Sequence, residues 1–183
     1  MEIKKLKNFL DEYLKISEIE DVSVNGLQVE GKKNCEKICF AVDASLETFK
    51  LAKKENADML FVHHGMIWGG IKKVTGINYI RLKFLIENKI SLYAAHLPLD
   101  KHEEVGNNIQ FLKIFGINKN IEEFGKYHGI KIGYAGRFEK EKNLSDFVSE
   151  IEKQLNTKCK ILKFGKEKIK SVGVVSGGAA SLI

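Results

Sequence analysis

The sequence predicts an α/β protein of two lobes, each built on a mostly parallel or mixed sheet flanked by helices. Strand-like and helix-like segments alternate along the chain, which is the pattern of βαβ units. The apolar runs Met59-Leu60-Phe61-Val62 and Leu92-Tyr93-Ala94-Ala95 are short and continuous, as strands covered on both faces are. The 183 residues, 44% hydrophobic and 30% charged, match an ordinary globular chain with room for one sizeable core or two small ones.

Taken in order, Ile3, Leu6, Phe9, Leu10, Tyr13 and Leu14 recur at helical spacing and predict a first helix over 2–16. Residues 38–42 read as a buried strand, and Ser45 can cap a helix reaching about residue 56. A strand at 58–63, a helix at 78–88, a strand at 90–95 and a helix at 103–115 complete a βαβαβα order. The glycine-bounded stretch 116–129 reads as a boundary, giving lobes at 1–124 and 125–183. Beyond it, a strand at 131–138, a helix at 144–155 and strands at 159–164 and 169–175 form the smaller lobe. The last residues, Ser176-Gly177-Gly178 and then Ala179-Ala180-Ser181-Leu182-Ile183, read as a glycine turn entering a helix with no cap behind it. That predicts a parent protein that continues.

The formal charge is +6 and almost wholly lysine, since Arg81 and Arg137 are the only arginines. Lysines spread along helices mark solvated faces, with nucleic acid as the alternative partner of a lysine-rich surface. Scarce arginine and unclustered aromatics argue against a dedicated reader of DNA sequence. No apolar stretch approaches the roughly 18 residues of a membrane span, and the N-terminus has no signal-peptide core, so a cytoplasmic protein without membrane contact is expected. Cys35, Cys39 and Cys159 form no CxxC pair and suggest neither a disulfide framework nor a thiolate zinc cluster.

Chemistry concentrates at two strand ends. His63-His64-Gly65 closes the first apolar run, and His96-Leu97-Pro98-Leu99-Asp100 follows the second. The carboxyl ends of parallel strands form the crevice where ligands bind, so both edges can face one site. Imidazole nitrogen and carboxylate oxygen suit divalent transition metals. Adjacent residues of a regular strand point to opposite faces, but a strand that ends at Gly65 relaxes this, and two imidazoles could serve two ions bridged by Asp100. Pro98 argues for a loop around His96 and Asp100, making His96 a ligand or a donor to one. His102 and His128 read as structural.

Around these lie weaker signals. Asp43 is either a helix cap or a carboxylate of the site. Trp68, beside Gly69-Gly70, either stacks on a planar ligand or covers the core. Asn25-Gly26 reads as a turn that places Gln28 at the crevice. Glu103, Glu104, Asn107 and Asn108 read as caps and solvated groups at a helix start, with Asn107 close enough to Asp100 to join substrate binding.

Three blocks, Ser23-Val24-Asn25-Gly26-Leu27-Gln28-Val29-Glu30-Gly31, Val62-His63-His64-Gly65-Met66-Ile67-Trp68-Gly69 and the stretch from Ala95 to Asn108, together resemble the NGG-one-interacting-factor-three family. Its members are also called GTP cyclohydrolase one type two homologues. The resemblance implies two α/β lobes with a dinuclear metal centre in the crevice between them, and assembly into a hexameric ring or cage of dimers. It places His63, His64 and Asp100 on the family's metal ligands with His96 beside them. It also implies two divalent ions per chain, whether zinc, iron, manganese, nickel or cobalt, and a further His and Glu from a segment opened by Ser176-Gly177-Gly178-Ala179.

A two-metal centre makes hydrolysis of a small, nucleotide-like substrate the expected reaction, since bound water becomes a nucleophile near neutral pH. The alternative is a ring-shaped DNA-binding or protein-interaction scaffold with structural or regulatory metals. No Walker-type GxxxxGK[ST] loop is present for nucleotide phosphates.

Overall fold

The computed structural model describes residues 1–70 and 73–182. The chain divides into two compact units, Met1–His102 and Glu103–Ile183. In the first, helix α1 (Ile3–Tyr13) precedes strands β1 (Gly26–Val29) and β2 (Ile38–Asp43). Helix α2 (Leu46–Lys54), strand β3 (Met59–His64), helix α3 (Gly76–Glu87), strand β4 (Ser91–Ala94) and the single turn α4 (Leu97–Lys101) follow. The sheet order is β1-β4-β3-β2, parallel except for β1, which runs antiparallel to β4. The expected mixed sheet flanked by helices is therefore present.

Its two faces carry two cores, and the period of two along β3 sorts them. Met59 and Phe61 pack with Ile3, Leu6 and Tyr93 on the α1 side. Leu60 and Val62 pack with Phe49, Ala52 and Leu85 on the α2 and α3 side. Tyr93 is wholly buried, and its hydroxyl donates to Asp11 of α1 at 2.8 Å, so burial of this ring costs no orphaned polar group. Ser45 caps α2 as expected, with Thr48 returning the bond in a reciprocal capping box.

β2 departs from the buried strand the sequence suggested. It is the edge of the sheet, and Phe40 and Val42 stand 74% and 62% exposed. An apolar run alone does not distinguish a central strand from an edge, because that depends on which strands arrive later in the chain.

The amino end of the parallel strands is stitched by Asp58, which is 7% exposed. Its carboxylate accepts from Lys32 Nζ (2.6 Å) and from the backbone N–H groups of Glu36 (2.9 Å) and Lys37 (3.2 Å). Its own backbone bonds Lys37 and Ser91, tying the starts of β2, β3 and β4 together.

The second unit contains α5 (Asn107–Ile114), β5 (Glu122–Tyr127), β6 (Ile130–Asn143), α6 (Leu144–Gln154) and β7 (Lys168–Val174). The strands form an antiparallel sheet of order β5-β6-β7. The boundary falls earlier than 124/125, because Ile109 and Leu112 of α5 and Phe115 just after it pack with Tyr134, Phe138 and Phe147 of this unit. β5 occupies the stretch read as a boundary; its charged Glu122, Glu123 and Lys126 hid a strand paired on one side only. Conversely, 159–164 is no strand: Leu162 and Phe164 are 70% and 92% exposed, and the edge is taken by β7. Asn108 is no solvated cap either. Fully buried, it donates to the Ile132 carbonyl (2.9 Å) and accepts from the Ser176 N–H (2.7 Å).

Of the final stretch, Ala180–Leu182 forms a single 3-10 turn, and Ile183 lies outside the described residues. Among the described residues, no helix is long and apolar enough to cross a membrane.

The bonds of Asp58 set one pH dependence. The hydrogen bond from Lys32 and then that from the Glu36 N–H hold its carboxyl below the ordinary 3.8. A depressed folded-state value contributes stability that is full above 3.8 and lost as pH falls through the lower value. Asp58→Ala should cost about 1–3 kcal/mol in urea unfolding at neutral pH, as buried donors lose a charged acceptor. The gap to the parent should narrow below pH 3.8; a pH-independent gap would show that the ionised carboxylate is not its source.

Candidate metal centre

Three parallel strands deliver polar side chains to one edge of the first sheet: Asp43 ends β2, His63 and His64 end β3, and His96 follows β4 as the N-cap of α4. His63 continues the face of Met59 and Phe61, and His64 that of Leu60 and Val62, yet the two rings converge to a centroid separation of 4.6 Å. The ring of His96 lies 5.0 Å from that of His63 and 5.6 Å from that of His64. Each of the three offers a nitrogen within 4.8 Å of the others, so the group could hold a metal ion.

What distinguishes these imidazoles from incidental neighbours is that each is anchored through Nδ1. His63 Nδ1 meets the Ala95 carbonyl at 3.0 Å, His64 Nδ1 the Asp43 carboxylate at 2.7 Å, and His96 Nδ1 both oxygens of Asp21 at 3.0 and 3.1 Å. Each partner is an acceptor, so in the neutral ring the proton sits on Nδ1 and the lone pair on Nε2. This is the arrangement of metal-ligating histidine, in which a carboxylate or carbonyl fixes the tautomer and raises basicity. Asp100, 3% exposed, adjoins the group with Oδ2 at 3.6 Å from His63 Nε2.

The electrostatics separate the rings. Burial pushes His63 below its ordinary value, against the pull of Asp100. The hydrogen bond to Asp21 raises His96 against burial. Burial alone would raise the Asp21 carboxyl, but bonds from His96, Asn25, the Ser23 N–H and the Leu97 N–H prevail and hold it at about 2.

Asp21 is the residue the sequence reading missed. It lies two positions before the Ser23-to-Gly31 block with no strand or glycine beside it to signal a role. Together with Asn25, whose Oδ1 accepts from the His96 N–H at 2.7 Å, it fixes both the ring and the backbone of His96. The Asn25-Gly26 turn therefore positions the site.

Other expectations resolve individually. α4 is one helical turn rather than a loop, because Pro98 stands in its first turn, where no intrahelical N–H is required, and the Asp100 N–H still reaches the His96 carbonyl (3.1 Å). Asp43 orients His64, and the capping of α2 is left to Ser45. The Gln28 amide oxygen accepts from the N–H of Met66 (2.7 Å) and Ile67 (3.2 Å), and its Nε2 donates to the Val24 carbonyl (2.7 Å), clasping the loop after β3. A Cβ at Gly65 would run into that amide and into Ala94, so the turn after His64 needs glycine. Trp68 donates its indole N–H to the Gly65 carbonyl (2.9 Å) and sets its ring edge-on to His96 at 5.0 Å, walling the imidazoles. His102 is structural, its Nε2 on the Tyr13 carbonyl at 2.8 Å. Asn107 opens α5 in the second unit. His63, His64, His96, Asp100, Asp21 and Asp43 all belong to the first unit.

The two orienting carboxylates differ in exposure, with the side chain of Asp21 at 3% and that of Asp43 at 67%. Asp21→Ala should therefore weaken metal binding by about 10–100-fold, and Asp43→Ala by less, since water can replace an exposed acceptor. Titration of chelated, reloaded protein with zinc reads both constants; equal losses would contradict this account of how the rings are held.

Comparison with known proteins fits this geometry. The family described as Duf34/NIF3 (NGG1p interacting factor 3) matches residues 1–183. A "GTP cyclohydrolase 1 type 2 homolog" of Pyrococcus abyssi (strain GE5 / Orsay) is 50% identical over 184 residues, covering 100% of this chain and 73% of its own. Among solved structures, TTHA1606 from Thermus thermophilus is 36% identical with a TM-score of 0.88, over 100% of this chain and 73% of that one. "Reduced HcgD" from Methanocaldococcus jannaschii is 30% identical with a TM-score of 0.70, over 84% of this chain and 60% of that one. With a family match from the first residue to the last and half of its residues shared with an archaeal relative, this chain belongs to the Duf34/NIF3 family.

Proposed function

We propose that this chain is a metal-dependent hydrolase acting on a small, nucleotide-like substrate, with His63, His64, His96 and Asp100 holding divalent metal. The observation that carries the reading is the shared Nδ1 anchoring of three imidazoles, which leaves three Nε2 lone pairs at one strand edge beside a buried carboxylate. An imidazole-and-carboxylate donor set fits zinc, iron, manganese, nickel or cobalt. Bound divalent metal supplies there a Lewis acid and a water acidic enough to ionise near neutral pH.

The chain's own groups do the rest. The Ala95 carbonyl and Asp21 hold His63 and His96 in one tautomer and one orientation, so their lone pairs need no reorganisation on binding. Trp68 covers one side of the imidazoles and limits the approach of bulk water. Asp100, buried beside His63, supplies a negative charge that offsets part of the positive charge brought into the site. Two ions per chain, which His63, His64, His96 and Asp100 would hold together, is the fuller form of the proposal, and it draws on the family resemblance.

Elemental analysis of the parent and of His63→Ala, His64→Ala and His96→Ala, each chelated and reloaded with zinc, manganese and iron in turn, tests the site. The parent should retain metal through gel filtration, near two ions per chain in the fuller form, and each variant should lose at least one. The loaded parent is then assayed against phosphoester, cyclic amidine and amide panels. Metal retention without turnover on any panel would leave a metal-binding protein and remove the hydrolase.

A further inference from the structure

Arg81 is one of only two arginines in a chain rich in lysine, and its guanidinium is turned into the fold. From the middle of α3 it reaches across to the turn that follows β2, where Nη1 donates to the Ala44 carbonyl at 2.8 Å. Nη2 donates to Asn78 Oδ1 at 3.3 Å, one turn earlier on the same helix, which braces the group. Its Nε is buried with no acceptor among the described residues. An N–H withdrawn from water without a partner costs stability, and a side chain that only kept α3 solvated would incur no such cost.

What the guanidinium holds is Ala44, itself buried. β2 and β3 run parallel with Asp43 opposite His64, and the last rung of their ladder is the Ala44 N–H on the His64 carbonyl at 2.9 Å. Residues opposite one another on adjacent strands share a face, so this rung keeps the Asp43 carboxylate alongside the His64 ring. Strand ends fray, and an exposed carboxylate has water as an alternative partner. The remaining bonds of the turn are local: the Asp43 carbonyl accepts from the Ser45 N–H (3.0 Å) and from Thr48 Oγ1 (2.9 Å), and these move with the turn. Arg81 ties it to a separate element. With its N–H on His64 and its carbonyl on Arg81, Ala44 cannot lift from β3 without breaking a charge-assisted bond.

We propose that Arg81 is a positioning residue for His64: by fixing Ala44 it keeps Asp43 on His64 Nδ1, and so keeps the Nε2 lone pair of that ring available beside those of His63 and His96. The inference rests on the metal-binding reading of the three imidazoles and extends it to α3. It also accounts for arginine at this position, since an ammonium that reached Ala44 would have no planar fork with which to span Asn78 as well.

The test reads the His64 ring itself. Long-range proton–nitrogen NMR spectra of the metal-free full chain, in mildly alkaline buffer, report which ring nitrogen carries the proton in the parent, in Arg81→Lys and in Asn78→Ala, with thermal unfolding recorded for each. All three rings of the parent should carry it on Nδ1. In Arg81→Lys, His64 should become a mixture of both tautomers while His63 and His96 stay as they are, and Asn78→Ala should act in the same direction and less. Zinc affinity, read by competition with a chelator, should fall in Arg81→Lys by a factor of about 10 or less. Arg81→Lys combined with Asp43→Ala should bind zinc no more weakly than Asp43→Ala alone, because a residue that acts through the carboxylate then has nothing left to act on. A role in stability alone would lower the unfolding temperature and leave the His64 ring unchanged in both variants. That result, or losses that multiply in the double variant, would overturn the assignment. A parent that binds no zinc would remove the metal reading, and the ring spectra would still decide whether Arg81 positions His64.

Discussion

The candidate site depends on one carboxylate, that of Asp21. It sits in the loop before β1, far in sequence from His96, yet it accepts from the His96 ring, the Leu97 N–H, the Ser23 N–H and the Asn25 amide. Four donors on one buried anion are what make its burial tolerable, because an uncompensated carboxylate would protonate or draw in water. The same bonds fix the entry to α4, and α4 carries Asp100. A single buried charge thus sets both the tautomer of one imidazole and the course of the chain that brings a carboxylate to another.

The sequence made much of this legible because the fold writes its strands as apolar runs and its candidate metal-binding residues as the ones that interrupt them. His63 and His64 stood out at the end of Met59-Leu60-Phe61-Val62, and the parallel order of β2, β3 and β4 followed from the helices between them. What was hidden lay where meaning depends on distant partners. Asp21 has no local pattern; its role exists only once β1 runs antiparallel to β4 and brings its preceding loop to His96. Gln28 looked like a residue for the crevice, but the close approach of Gly65 commits its amide to the loop backbone. β5 was concealed by charges that an edge strand tolerates, and 159–164 was promoted by apolarity although it joins neither sheet.

Pro98 shows how a sound rule can mislead by its range. Proline excludes a helix interior, and that argued for a loop between His96 and Asp100. A five-residue helix has almost no interior, and its first turn tolerates a residue without an N–H. The outcome matters for the site, since one turn of helix, unlike a loop, fixes the offset between His96 and Asp100.

The three anchors also differ in stiffness, and this bears on what the site can do. His63 is held by a backbone carbonyl at the start of α4 and His96 by a buried carboxylate, so neither can swing without breaking bonds that shape the chain. His64 is held only by Asp43, an exposed side chain on the edge strand β2, and its own side chain is 43% exposed. Two of the three imidazoles are thus rigid and one is adjustable. A strand end that sends adjacent residues to opposite faces leads to this inequality: the imidazole on the α1 face is packed against Ala95 and Asp100, while the other must reach outward for its partner. Any ion these imidazoles came to hold would be positioned by the rigid pair His63 and His96, with His64 the ring whose reach can adjust.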